Sequence, residues 1–105
     1  MAREIITDRW GNEIYLTDER WQHILETHEE MANFRGHLLE TLRTGQRRQD
    51  VFDPHKYKYS KKFTDLPDDF THVIVVVKLS RQITTRGEMP NNFVLTAYQV
   101  TRSSL

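Results

Sequence analysis

The chain contains no cysteine, which excludes a disulfide-stapled scaffold and any zinc site built on thiolates. Proline and glycine are scarce, at three and four residues, and no internal repeat, linker or low-complexity tract is visible. Net charge is also missing: fifteen basic residues balance fifteen acidic ones. Taken alone, that balance argues against a polyanionic partner. No apolar run is long enough to span a bilayer, the longest being "VIVVVKL". The start, "MAREIITDRW", lacks the apolar stretch of a signal peptide, so the cytoplasm is the expected compartment.

What is present is a polar chain of 105 residues, 37% hydrophobic and 29% charged. The apolar residues are clustered, which predicts one folded domain over residues 1–105 with a small core. Charge is unevenly spread. Residues 18–40 carry six acids and two bases, and residues 43–62 carry seven bases and two acids. These are either solvated faces of opposite sign or an acidic helical half beside a basic patch.

"REIIT" and "NEIYL" flank "DRWGN", where Gly11-Asn12 predicts the turn of a short hairpin. Thr17 then caps a helix with Asp18 and Glu19 in its first turn. A second helix is expected over about residues 32–44, with Phe34, Leu38, Leu39 and Leu42 at helical spacing and Gly45 just beyond. "VFDPHKYKYSKKF" reads as two short strands or one bulged strand, "FTHVIVVVKL" as a central strand covered on both faces, "TTRGEMPNN" as a loop and "FVLTAYQV" as the last strand. Helices segregated from strands in this way signal an α+β fold with an antiparallel sheet.

"WQHILETHEEM" raises the question of chemistry. His23 and His28 are five residues apart, about 140° around a helix, whereas helical zinc pairs use i, i+4 spacing on one face. No HExxH is present, so no metal site is expected. His28 falls on the apolar stripe of Trp21, Ile24 and Leu25, which fits a helix-terminal histidine as well as a functional one. His23 projects elsewhere, as a surface residue or a proton carrier. In the strands, period two places His72, Ile74, Val76 and Lys78 on one face, and Val94, Thr96, Tyr98 and Val100 on another. Lys78, Thr96 and Tyr98 are the groups that hold a phosphate, a cation with hydroxyl donors.

"RWQHILETHEEM", "VIVVVK" and "FVLTAYQV" together resemble the phage and mobile-element branch of the barnase–EndoU–colicin E5/D–RelE superfamily of small metal-independent endoribonucleases, many of them toxins. The resemblance spans roughly residues 4–100 and is carried most by Trp21-x-His23-Ile24 and by the TAY tripeptide at 96–98. His28 is followed by Glu29 where the family pattern has proline. The resemblance implies two N-terminal helices packed on a twisted, mainly antiparallel four-stranded sheet, preceded by the hairpin, with RNA lying across the sheet. It implies catalytic roles for His23, His28, Lys78, Thr96 and Tyr98, with no cofactor and no metal. The basic and aromatic residues Lys56, Tyr57, Lys58, Tyr59, Lys61 and Lys62 would contact the substrate; the same run also fits an edge strand protected by lysines. In such a reaction the ribose 2′-OH attacks its own phosphate, leaving a 2′,3′-cyclic end. Pairing across the loop near residue 87 is expected to set Lys78 opposite about residue 96.

RNA is the partner so implied, together with a cognate antitoxin or inhibitor protein and no membrane. A non-catalytic RNA-binding module on the same fold, an adaptor binding protein through the acidic half, and a homodimer of complementary patches remain open.

Overall fold

The computed structural model describes residues 3–102. The expected hairpin is formed by β1 (Arg3–Thr7) and β2 (Glu13–Thr17), antiparallel from Arg3 opposite Thr17 to Thr7 opposite Glu13. Its turn closes because Asp8 Oδ1 accepts from the N–H groups of Trp10 and Asn12, at 2.9 and 2.8 Å, and Gly11 takes a φ of 84°.

Thr17 caps α1 (Asp18–Thr27), its Oγ1 accepting from Arg20 N–H at 3.0 Å. The helix ends when His28, at its C-cap, leaves helical geometry while its N–H still bonds the Ile24 carbonyl. A single 3-10 turn (Glu29–Met31) follows and buries Met31, and α2 (Arg35–Thr44) starts three residues later than the sequence reading placed it. Gly45 ends α2 with φ −73°, so it is not the left-handed cap its position implied. Glycine is required there by close approach: a β-carbon would collide with the carbonyl oxygens of Thr41 and Ser60.

Six strands, two more than expected, form the main sheet in the order β1-β2-β8-β5-β4-β3. They are completed by β3 (Gln46–Gln49), β4 (Lys56–Lys62), β5 (His72–Lys78) and β8 (Phe93–Val100). Pairing is antiparallel except where the hairpin joins, at the parallel contact of Tyr15 with Phe93. One added strand, β3, has no apolar pattern of its own and exists by pairing with β4. The segment expected as a loop is instead a two-stranded ribbon, β6 (Arg81–Thr84) with β7 (Gly87–Pro90).

Both helices cover one face of the main sheet, α1 against β8 and β2, α2 against β5, β4 and β1. The core between the layers is Ile24, Met31, Leu38 and Leu42 against Ile14, Leu16, Val73, Val75, Val77, Val94 and Ala97. Each large aliphatic side chain buried there contributes about 1.5–3 kcal/mol. The two flanks of the sheet meet at a polar clasp. Asp8, fully buried at the hairpin tip, accepts from Tyr59 Oη at 2.5 Å and pairs with Arg47 Nη1 at 3.5 Å. The Arg47 guanidinium lies 4.1 Å from the centre of the Trp10 ring and 4.7 Å from that of Tyr57. No helix among the described residues is long and apolar enough to cross a membrane.

Candidate functional site

The sheet face turned away from the helices follows from register. Val73, Val75 and Val77 are fully buried, so the alternate residues of β5, namely His72, Ile74, Val76 and Lys78, point the other way. Cross-strand partners share a face. Lys78 is flanked by Lys56 and Phe93, Val76 by Lys58 and Thr96, Ile74 by Ser60 and Tyr98, and His72 by Lys62 and Val100. Arg48 extends the second row, opposite Lys58. Arg48, Lys56, Lys58, Lys62 and Lys78 are therefore five cations on one face, and none of the paired positions there on β3, β4, β5 and β8 carries a carboxylate. Phe93 and Tyr98 add aromatic surface to the same face.

Lys78 and Thr96 do share this face, but not in the expected register. Lys78 stands opposite Phe93 because the chain turns at Thr85–Arg86 and not near residue 87, and a bulge in β8 then brings Thr96 opposite Val76. Leu95 is the extra residue, and its carbonyl accepts from Arg20 Nη1 of α1 at 3.4 Å. Lys78 and Tyr98 are separated by two rows, about 13 Å along the strands. The Lys78 ammonium is held by Asp53 Oδ2 at 3.3 Å from the β3–β4 loop. The His55 N–H and Lys78 keep the Asp53 carboxyl below its ordinary range.

The two helical histidines part company. His28 leaves the helical stripe and rests on Tyr98, ring centroids 5.4 Å apart, with Glu30 Oε2 3.7 Å from its Nδ1. The 3-10 turn lies along the outer edge of β8 there, where Gln99 N–H donates to Glu30 at 3.4 Å and Gln99 Nε2 donates to the Glu30 carbonyl at 2.9 Å. His23 is exposed and lines a cleft of about 850 Å³ between α1 and the β2–β8 junction, with Tyr15, Arg20, Glu26 and Phe93. The fold thus brings His28 and Tyr98 together toward one end of the open face, leaves Thr96 one row from both Tyr98 and Lys78, and sets His23 apart.

Of the expected substrate contacts, Lys56, Lys58 and Lys62 lie on the open face. The other three do not, because period two along β4 turns them toward the helices. Tyr59 is fully buried and its hydroxyl is used by Asp8; burial first, and then the Asp8 carboxylate, push that phenol far up. Tyr57 lies under Arg47, and Lys61 donates to Thr44 Oγ1 at 2.6 Å. Three residues of the face that could bind or react carry no expected role, Phe93, Arg48 and His72. Arg48 sat in a segment with no strand pattern. His72 was visible on the Lys78 face through period two alone.

Among the described residues no three histidine, aspartate or glutamate side chains converge to hold a metal ion. No protein-family model matches the chain, and no curated protein or solved structure matches it.

Proposed function

We propose that the protein is an endoribonuclease that binds single-stranded RNA across the open face of its sheet and cleaves it without a metal ion. The observation that carries this reading is the face itself: five cations interleaved with Phe93 and Tyr98, with no carboxylate among the paired positions of four strands, in a chain of zero net charge. Cations spaced along a sheet track a phosphate backbone, and aromatic rings between them stack unpaired bases. The likeness of the first helix and of "TAY" to the endoribonuclease superfamily supports the same reading.

Cleavage by the ribose 2′-OH needs a proton acceptor, a proton donor for the leaving 5′-oxygen, and donors for the phosphorane charge. His28 and Tyr98 supply such groups toward one end of the face, with Thr96 in the next row. The salt bridge that occupies Lys78 favours a second reading, a non-catalytic RNA-binding module. One experiment separates the two. Purified protein incubated with labelled RNA in EDTA should give fragments ending in 2′,3′-cyclic phosphate. Binding without fragments would favour the module, and cleavage that EDTA abolishes and added metal restores would contradict the mechanism.

A further inference from the structure

We propose that His72 is the proton acceptor in RNA cleavage, oriented by the Thr71 hydroxyl and facing His28 across Tyr98. The inference rests on the RNA-cleaving reading and adds to it a residue with no role so far. Of the five histidines, only His72 lies on a strand of the open face. Tyr98 is two residues before Val100, the cross-strand partner of His72, and is therefore its diagonal neighbour, at about 7 Å. His28 reaches Tyr98 from the opposite edge of β8, so the two imidazoles flank one tyrosine. Lys62 stands on the β4 side of His72 as a cation for the phosphate.

The Thr71 hydroxyl meets His72 Nδ1 at 2.8 Å. In the tautomer with Nδ1–H donating to that oxygen, the lone pair is on Nε2, the nitrogen a substrate proton would meet. Burial, then Lys62 on β4 and Arg102 beyond β8, hold the His72 imidazolium below its ordinary value of 6.5, so the ring is neutral at pH 7. Tyr98 on β8 is the remaining titratable neighbour on this face, with the His28–Glu30 pair beyond it.

The step balances. His72 Nε2 takes the 2′-OH proton as the 2′-oxygen bonds to phosphorus. The P–O5′ bond breaks, and the departing 5′-oxygen takes a proton from protonated His28. Both rings then return to their starting states by exchange with water, leaving a 2′,3′-cyclic phosphate and a 5′-hydroxyl.

The test measures cleavage and binding of one short RNA by wild type, His72→Gln, Thr71→Val and Thr71→Ser. His72→Gln should lose about a hundredfold or more in kcat while RNA affinity holds. Wild-type kcat/KM should fall on acidification with a midpoint below 6.5, since the base must be unprotonated, and that limb should vanish in His72→Gln. Thr71→Val should lower kcat at unchanged KM, and Thr71→Ser should restore it. Wild-type cleavage that survives His72→Gln, or an unchanged acid limb, overturns this inference alone. A wild-type chain that binds the RNA and leaves it intact overturns the cleaving reading and this inference together.

Discussion

Tyr98→Phe protein is expected to cleave RNA about a hundredfold more slowly than wild type while melting at the same temperature. The hydroxyl is the only group removed, and one preorganised donor to a developing oxyanion is worth about that much. The ring remains, so the surface on which His28 rests at 5.4 Å is intact. Tyr98→Ala should cost more, because His28 then loses the ring that orients it. Single-turnover rates with saturating protein would separate this loss from weakened binding. Tyr98→Phe cleavage at the wild-type rate would remove the hydroxyl from the chemistry and leave the ring as a stacking surface only.

Asp8→Ala is expected to destabilise the fold by about 3 kcal/mol or more, a large share of the roughly 5–15 kcal/mol typical of small domains. The Asp8 carboxylate is fully buried and accepts from Tyr59, Arg47, Asn12 and Trp10. Truncation leaves the buried Tyr59 hydroxyl without its acceptor and the Arg47 guanidinium without its carboxylate, and an orphaned buried group costs its full desolvation. The same site sets an acid limit. Burial pushes the Asp8 carboxyl up, but the hydrogen bonds from Tyr59, Asn12 and Trp10 outweigh it and hold the carboxyl below the ordinary 3.8. A carboxyl depressed in the folded state stabilises above its unfolded value and loses that contribution as pH falls through the folded one. Denaturant melts between pH 2 and 6 should therefore show wild type weakening below about pH 4, with that portion flattened in Asp8→Asn. Full stability of Asp8→Ala would mean that the clasp does not hold the sheet flanks together.

The sequence was most readable where local chemistry and packing agree. Thr17 caps its helix, Gly11 turns the hairpin, and the valines of β5 are buried. These features are written in short windows, through capping, turn geometry and period two. β3 was illegible because "QRRQ" has neither β-branched nor apolar residues and is a strand only by pairing with β4. The β6–β7 ribbon was missed because Thr85 and Arg86 are not turn signals; its tip is closed by Thr84 Oγ1 accepting from Arg86 N–H at 3.1 Å. At the candidate site, Lys78 and Thr96 share a face, but through the bulge in β8 and not through the pairing expected across the loop. Counting across the loop misplaces Lys78 by three residues because the turn lies at Thr85–Arg86, with Thr84 opposite Gly87, and not near residue 87. Alternation also shows that Lys58 and Tyr59 oppose each other, but not which of them faces the helices, so the burial of Tyr59 is not legible in the sequence.

The salt dependence of RNA binding tests the open face most directly. Log affinity against log salt should be linear for a short single-stranded RNA, with each phosphate contact adding about 0.7 to the slope. Removing three cations from the open face, in Arg48→Gln/Lys58→Gln/Lys62→Gln, should lower the slope by about 2. Lys61→Gln, one residue away but turned toward the helices, should leave it unchanged. An unchanged slope in the triple variant, or an equal loss from Lys61→Gln, would contradict the assignment of RNA to this face.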